Sequence, residues 1–267
     1  MDHAAVLARY DRDLRRDARP DGPGARIERT AAVVRQIAPA HGWNGVLWSG
    51  LDGTDGTDGT AADAAIAEQI AYYGALGCPF EWKLYGHDVP ADLGSRLLAA
   101  GFTPGPEETL MVAETAEVVA LTAGAAPPEG VRVLRADDAA GVEFMVEVHE
   151  KVFGADGGGL RHRLLTRLAA DPGSLVMVVA LAGDEPVSAA RLEPVPGTWF
   201  AGLWGGGTLE HWRGRGLYRT LLAHRARAAE ARGHRFLQVD ALPMSRRVLE
   251  RLGFHALTGT TPYLYGG

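Results

Sequence analysis

The chain has 267 residues, of which 46% are hydrophobic and one is cysteine, and its formal net charge is −6. The length suggests two domains with buried cores, the negative charge argues against a general nucleic-acid binder, and the single cysteine excludes an internal disulfide and a cysteine-based zinc cluster. No apolar run reaches membrane length and the N-terminus lacks a signal-peptide core, so we expect a soluble, cytoplasmic protein without a membrane partner.

The first half of the chain alternates between helical and strand patterns. Apolar periodicity predicts helices over residues 27–39, 61–76 and 91–100, and strands over 45–49, 80–85 and 109–113. Small residues and a Pro-Pro pair between 122 and 130 predict a linker. We therefore expect one domain over residues 1–122 and a second over 130–267.

The second half predicts a longer series of the same kind. The predicted helices cover the segment from a cap at Asp137 or Asp138 to residue 153, then 160–170, 217–232 and the turns before Gly253. The predicted strands cover 131–134, 175–181, 187–193, 200–209 and 236–241. Together the two halves predict an α/β fold with a mixed central sheet flanked by helices.

The turn Arg213-Gly-Arg-Gly-Leu-Tyr218 joins the strand at 200–209 to the following helix. A glycine-rich turn at a helix start directs free backbone N–H groups and the positive end of the dipole to one point, which suits a phosphate or pyrophosphate. The turn lacks the Lys-Ser/Thr pair of a P-loop and the full glycine pattern of a dinucleotide fold. Further along the helix, Arg225, Arg227 and Arg232 are interpreted as a solvated face.

Two segments of the second half resemble the GCN5-related N-acetyltransferases (GNATs). The turn resembles the family's Arg/Gln-x-x-Gly-x-Gly/Ala signature, with Tyr218 where Gly or Ala is usual, and residues 248–254 resemble its Leu-Tyr-Glu-Lys-Leu-Gly-Phe segment. The resemblance implies an acyl-CoA N-acyltransferase fold that uses acetyl-CoA as the acyl donor and no metal. It implies coenzyme A contacts at Gly207, Thr208, Leu209, Arg213, Gly214, Arg215, Gly216, Leu217, Tyr218, Arg219 and Ser245.

The resemblance also implies direct attack of an amine on the thioester carbonyl. Glu193 and Asp240 are candidate general bases, although either could be an ion-paired structural residue instead. The family's thiolate-protonating tyrosine corresponds to Leu249, which cannot donate a proton. Candidate substitutes are Ser245, Tyr263, Tyr265 and water. We predict Glu193 and Tyr265 as the catalytic pair.

The first half reads as a degenerate copy of the second, which gives a tandem arrangement of two GNAT-like halves. Residues 97–102 correspond to 248–254, and residues 81–85 correspond to 237–241. Where the phosphate turn should lie, the first half has an Asp-Gly-Thr repeat over 52–60, whose carboxylates would repel a pyrophosphate. A calcium site is another interpretation of the repeat, but the spacing does not match an EF-hand, and a low-complexity insertion is favoured.

These motifs favour one function and leave two others open. The favoured one is an N-acetyltransferase that moves an acetyl or other short acyl group to a primary amine of a small molecule or peptide. The others are a non-catalytic acyl-CoA sensor and a CoA-thioester hydrolase or decarboxylase on the same fold. We expect a monomer or homodimer with no nucleic-acid partner.

The difference between the two halves predicts the binding stoichiometry. One coenzyme A should bind per chain, because the repeat over 52–60 offers negative charge where the second half offers Arg213, Arg215 and Arg219. Isothermal titration calorimetry of monodisperse protein measures this ratio. Two molecules of coenzyme A per chain would contradict the degenerate-copy interpretation.

Overall fold

A computed structural model describes residues 1–51 and 60–266 of the protein. The chain forms two compact units. The first contains Met1–Leu110, Asp240–Arg246 and Ala256–Gly267, and the second contains Met111–Val239 and Arg247–His255. The two units alternate along the chain, so they do not correspond to two domains that follow one another in sequence. The predicted boundary at 122–130 therefore stays a prediction.

The helices and strands of the described residues are numbered in chain order. The helices are α1 His3–Tyr10, α2 Thr60–Ala75, α3 Leu93–Ala99, α4 Thr115–Leu121, α5 Ala139–Phe153, α6 Gly158–Ala170, α7 Leu217–Glu230 and α8 Pro243–Glu250. The strands are β1 Arg26–Arg29, β2 Val33–Ile37, β3 Gly45–Ser49, β4 Phe80–Tyr85, β5 Thr103–Pro104, β6 Glu108–Glu114, β7 Val131–Arg135, β8 Val176–Ala182, β9 Glu185–Pro194, β10 Phe200–Thr208, β11 Phe236–Ala241 and β12 His255–Tyr265. None of these helices is both long and apolar enough to cross a bilayer, and the cytoplasmic location stays a prediction.

The first unit contains a mixed sheet with a helix-covered core. Strands β1, β2 and β3 pair antiparallel, β4 adds in parallel to β3, and β12 pairs antiparallel with β4. The core packs residues of α2 and α3 against these strands, with Tyr73 stacked on Phe80 at a ring-centroid distance of 4.3 Å. Helix α1 begins at the cap Asp2 and continues into a π-helical turn, Asp11–Arg16.

The second unit is built on the same plan. Strands β7, β8, β9 and β10 pair antiparallel, and β11 adds in parallel to β10. Alternate residues of β8, such as Met177 and Val179, pack in one core with α5 and α6. The intervening residues Val176 and Val178 are also buried, and α7 packs against the same strand. The sheet is therefore covered by helices on both faces, as the sequence predicts for an α/β fold.

The predicted helix over 27–39 is wrong, because this segment is the hairpin of β1 and β2. Arg26 pairs with Ile37 and Arg29 with Val34. Thr30 makes the turn, since its hydroxyl accepts a hydrogen bond from the N–H of Val33 at 3.0 Å. The β-branched residues of β2 favour a strand, and every residue of β2 is buried, so tertiary pairing overrides the helix-forming residues around the turn.

The predicted repeat of the helix–Gly–Phe turn is present in both halves. The N–H of Phe102 donates to the carbonyl of Leu97 at 3.1 Å, and that of Phe254 donates to the carbonyl of Leu249 at 3.1 Å. The glycine before each phenylalanine has a left-handed backbone, with φ of 94° in the first turn and 87° in the second. Both phenylalanines are buried. The two turns therefore repeat the same backbone geometry as well as the same residues.

Candidate functional site

The anion loop, defined as residues 213–218, lies between β10 and α7 in the second unit. Gly216 caps α7 with φ of 83°, a left-handed conformation that glycine adopts without a Cβ penalty. Within residues 1–51 and 60–266, no hydrogen bond uses the backbone N–H groups from Gly214 to Arg219. The first intramolecular bond of the helix start is from Thr220 to the Gly216 carbonyl, at 3.0 Å. Six consecutive donors and the positive end of the helix dipole are thus available to an anion.

Three exposed arginines surround these donors. Arg213 donates from Nε to the carbonyl of Thr208 at 3.2 Å, and Arg219 donates to the carbonyl of Leu121. The guanidinium of Arg215 lies 4.8 Å from the ring centroid of Trp212. Their positive charge adds to that of the helix end, and a Cβ placed on Gly214 or Gly216 would meet no atom within 4 Å. The loop therefore has open space and positive charge at the same place.

The strand before the loop separates from its parallel neighbour. Strand β10 pairs with β11 only from Phe200 to Gly202, although β10 continues to Thr208. On its other side β10 stays paired with β9, with a bulge between Trp204 and Gly207. The open edge, defined as the side of β10 from 203 to 208 that no longer pairs with β11, leads towards the anion loop. An extended ligand arm could add to this edge as a strand would.

The three residues predicted to pair with such an arm are partly engaged by the protein. The carbonyl of Gly207 accepts from the hydroxyl of Ser188 at 2.8 Å, and the N–H of Leu209 donates to the carbonyl of Val187 at 2.9 Å. The carbonyl of Thr208 accepts from Arg213. Gly207, Thr208 and Leu209 stay predicted ligand contacts through their remaining backbone groups.

The family of this site follows from a sequence comparison. The family model described as Acetyltransferase (GNAT) family matches residues 142–254, which include β10, the anion loop, α7 and the helix–Gly–Phe turn. This segment is therefore similar to the GNAT family. The family supports an acetyltransferase type of activity. No curated protein matches the chain by sequence.

Solved structures similar to the whole chain have the same fold. A GCN5-related N-acetyltransferase from Kribbella flavida matches with a TM-score of 0.68 at 16% identity, covering 99% of this chain and 94% of that one. A tandem GNAT protein from the clavulanic acid biosynthesis pathway matches with a TM-score of 0.63 at 12% identity, covering 92% and 85%. A GCN5-related N-acetyltransferase from Sphaerobacter thermophilus has a TM-score of 0.58 at 16% identity, covering 88% and 80%. The acyltransferase fold predicted from the sequence is thereby confirmed.

Tyr218, the departure from the GNAT signature, points its ring away from the loop. The ring lies against the bulge of β10, where a Cβ on Gly206 would be 3.7 Å from Cε2 of Tyr218. Its hydroxyl interacts with the side chain of Arg225, which lies about two turns further along the same face of α7. Burial raises the pKa of Tyr218, and the positive charge of Arg225 opposes this rise.

Arg225 is buried, with 1% of its surface exposed, and the expectation that it belongs to a solvated helix face is wrong. Its Nε donates to the carbonyl of Leu221 and its Nη1 to the carbonyl of Arg191, while Nη2 has no partner in the described chain. No carboxylate pairs with it among residues 1–51 and 60–266. Burial therefore lowers the pKa of Arg225. In the sequence, Arg225 follows Leu221 by four residues and Leu217 by eight. This spacing places it on the apolar stripe of the helix and could have indicated its burial.

Glu193 lies between two arginines. Its Oε1 is 2.6 Å from Nε of Arg191 and its Oε2 is 2.5 Å from Nη1 of Arg167. Burial by itself would raise the pKa of Glu193, but the charges of Arg191 and Arg167 outweigh burial and hold the pKa below its ordinary value. This environment matches the ion-paired alternative more closely than a proton acceptor, and a catalytic role of Glu193 stays a prediction.

The other candidate base, Asp240, belongs to a buried polar group of the first unit. One of its oxygens is 2.8 Å from Nζ of Lys83, while Oδ1 has no partner in the part of the chain that the structure describes. Burial would lower the pKa of Lys83, but Asp240 and Glu108 raise it above its ordinary value. Asp240 is thus ion-paired with Lys83, as in the structural alternative for this residue.

The candidate thiolate acids lie in different surroundings. Tyr265 packs its ring against Phe80 and Phe102 of the first unit, at centroid distances of 5.9 and 5.0 Å. Ser245 is half-buried in the first turn of α8, and Leu249 is fully buried in the same helix. Tyr265 and Ser245 stay predicted site residues.

The calcium interpretation of the Asp-Gly-Thr repeat is not tested, because nearly all of the repeat lies outside the described residues.

A buried arginine without a counter-charge should contribute little to stability. Arg225→Met should change the free energy of unfolding by less than about 1 kcal/mol, or increase it, because the substitution removes an uncompensated buried charge. The matched control is Arg15→Met. Arg15 is 2% exposed but lies 2.7 Å from both Asp88 and Asp11, so its loss should cost about 3–5 kcal/mol.

Urea unfolding of the two variants and the wild type measures this difference. If Arg225→Met were as costly as Arg15→Met, the two carbonyl contacts of Arg225 would compensate its charge fully. That result would contradict the interpretation of Arg225 as an uncompensated group.

The ion pairs of Glu193 predict a loss of stability in acid. A carboxyl group whose folded pKa is below its ordinary value of 4.5 stabilises the fold above that pH, and the contribution is lost as pH falls through the folded pKa. Glu193→Gln should therefore cost about 2 kcal/mol at pH 7 and progressively less in acid. Unfolding curves at a series of pH values measure the difference.

The control for this variant is Glu143→Gln. Glu143 lies 3.0 Å from Arg161, but both side chains are exposed, so the change should be below about 0.5 kcal/mol at every pH. Equal effects of the two variants would show that burial of the Glu193 pair is irrelevant to its strength.

Proposed function

We propose that the GNAT domain transfers an acetyl or other short acyl group from acetyl-CoA to a primary amine. The observation that supports this most directly is the run of six free backbone N–H groups from Gly214 to Arg219, at the end of the open edge of β10. A pyrophosphate needs convergent donors, and an attached extended arm needs a free strand edge. The second unit offers both along one path.

The residues of the loop fit the pyrophosphate of coenzyme A. Its oxygens would accept from the backbone N–H groups, including that of Tyr218, and Arg213, Arg215 and Arg219 would add positive charge around them. The pantetheine arm would lie along the open edge, in reach of Gly207, Thr208 and Leu209. We also assign Ser245 and Leu217 to this binding site, as the family signature implies.

The proposed reaction is a direct transfer. The amine nitrogen attacks the thioester carbonyl, the C–N bond forms, the C–S bond breaks, and the thiolate accepts a proton. The free amine needs a proton acceptor, for which Glu193 is our candidate and Asp240 the second, and the thiolate needs a donor, for which the sequence indicates Tyr265. The acceptor is proposed only as a small-molecule or peptide amine.

We assign the first unit a supporting role in a tandem arrangement. Its strands β1–β4 repeat the pairing of β8–β11, including the parallel step between β3 and β4. Its counterpart of the anion loop is the Asp-Gly-Thr repeat, whose charge disfavours a phosphate. A single acyl-CoA site per chain, in a monomer or homodimer, is the arrangement that we propose.

Leu249 favours a second candidate, an acyl-CoA sensor that binds without transfer. It is buried and stands where the family's proton donor is expected. Thiol release from acetyl-CoA with a panel of primary amines, measured beside coenzyme A binding, separates the two. Turnover with any amine supports the transferase. Tight binding without turnover would replace it by the sensor.

The anion loop is tested by adding a negative charge to it. Gly216→Asp should weaken coenzyme A binding at least tenfold, about 1.4 kcal/mol, because a carboxylate would lie beside the pyrophosphate. Calorimetric titration measures the affinity. The matched control is Gly233→Asp at the other end of α7, where φ is 77° and a Cβ would also meet no atom within 4 Å.

Both variants add the same charge and the same left-handed strain, so only the loop position differs. Gly233→Asp should bind coenzyme A within about threefold of the wild type. Equal affinities of a folded Gly216→Asp variant and the wild type would remove the loop from the binding site.

A further inference from the structure

The second unit contains a tyrosine and a buried arginine that the proposed reaction has not used. We propose that Tyr218 is the general acid that protonates the departing thiolate, and that Arg225 is the positioning residue that stabilises its phenolate. The proposal rests on the proposed acetyl transfer and names a catalytic residue for it. It places the acid on α7, where the family signature has a small residue, instead of at Leu249.

Arg225 supplies the first argument. Its charge is removed from water, and the acceptors of its hydrogen bonds in the described chain are two backbone carbonyls, at 3.3 and 3.4 Å. One nitrogen, Nη2, is left without a partner in the described chain. A buried charge of this kind is unfavourable unless a negative charge appears beside it. The neighbour that can become negative is the Tyr218 hydroxyl.

The position of Tyr218 supplies the second argument. Tyr218 and Arg225 are seven residues apart on α7 and therefore share one face of the helix. That face packs on the sheet at the bulge, because the ring of Tyr218 lies by Gly206 and Arg225 reaches the carbonyl of Arg191, the partner of Trp204. The phenol is therefore directed back along β10, away from the anion loop.

The two ends of the open edge then have different chemistry. The donors for a pyrophosphate lie at one end, after Thr208. The Tyr218 side chain lies at the bulge, between Trp204 and Gly207, near the point where β10 leaves β11. The four residue-to-residue steps from Thr208 back to Trp204 span about 13 Å of strand. A pantetheine arm laid along this edge brings its sulfur towards the bulge and the phenol.

The proton balance of the step is complete with these groups. When the C–S bond breaks, the sulfur keeps the electron pair and takes the proton of the Tyr218 hydroxyl. The phenolate that remains interacts with Arg225 and recovers a proton from solvent before the next cycle. Burial raises the pKa of Tyr218, so the phenol holds its proton at neutral pH. The charge of Arg225 lowers the cost of giving it up.

The decisive comparison is between Tyr218→Phe and Tyr265→Phe, each of which removes one hydroxyl and keeps the ring. Tyr218→Phe should lower kcat by about 10²–10⁴-fold, while coenzyme A affinity falls by no more than about tenfold, the range of one lost hydrogen bond. Tyr265→Phe should lower kcat by less than Tyr218→Phe does. The opposite pattern, with kcat lost in Tyr265→Phe alone, would overturn the proposal and confirm Tyr265.

A binding measurement gives a readout independent of turnover. If the phenol contacts the sulfur, the wild type should bind coenzyme A about threefold to tenfold more tightly than desulfo-coenzyme A, the range of one hydrogen bond. This preference should disappear in Tyr218→Phe and persist in Tyr265→Phe. Equal preferences in all three proteins would show that Tyr218 does not touch the sulfur.

Arg225 and the size of the ring are tested by two further variants. Arg225→Met should lower kcat about tenfold in the wild type and add little in the Tyr218→Phe background, since the two residues act together. Tyr218→Gly restores the small residue of the signature and should lose as much kcat as Tyr218→Phe. If it instead raises both affinity and rate tenfold, the ring obstructs the arm and the proposal is wrong.

Failure of the proposed function has a separate signature. A wild-type protein that binds neither coenzyme A nor its desulfo analogue would overturn the acetyl transfer and the assignment of Tyr218 together. A wild type that binds and turns over, with Tyr218→Phe unchanged in kcat and in sulfur preference, would overturn the assignment of Tyr218 alone.

Discussion

The bulge in β10 is the constraint on which the rest of the second unit depends. An extra residue between Trp204 and Gly207 bends the strand at the place where its pairing with β11 has ended. From residue 203 onward, one edge of β10 has no pairing with β11. At the bulge, the carbonyl of Arg191, which lies opposite Trp204, accepts a hydrogen bond from Arg225, and the ring of Tyr218 lies beside Gly206. A regular ladder through Thr208 would remove the open edge and this arrangement of the tyrosine and the arginine.

The two units treat buried charge in opposite ways, although they share one strand plan. In the first unit, Arg15 lies between Asp88 and Asp11 and over the ring of Tyr85, so its charge is fully matched. In the second, the described residues give Arg225 carbonyl oxygens and a phenol as neighbours but no carboxylate. A buried arginine that is paired with carboxylates holds its surroundings in one arrangement. A buried arginine without a carboxylate instead stabilises a negative charge that forms beside it during a reaction. The contrast fits the supporting and catalytic roles that we propose for the two units.

Most of the secondary structure could be predicted because it depends on local patterns. The strand β4 was predicted with its observed bounds, and the cap of α5 at Asp138 was one of two predicted positions. The hairpin of β1 and β2 could not be predicted, because β2 is buried on both faces and does not alternate apolar with polar residues. Helix α4, Thr115–Leu121, was also missed, since it is short and continues directly from β6. Such short elements depend on tertiary packing.

The sequence by itself determined the resemblance to the GNAT family, the glycine-rich turn of the anion loop and the repeat of the helix–Gly–Phe turn. Each depends on a few residues close together in the chain, whose backbone requirements, such as the left-handed Gly216, are local. Only the tertiary structure decided the surroundings of the charged groups. Glu193 has two arginines beside it, while Arg225 has no counter-charge within the described residues. Charge environments are set by strand register and helix packing between distant segments, and a linear sequence does not contain those distances.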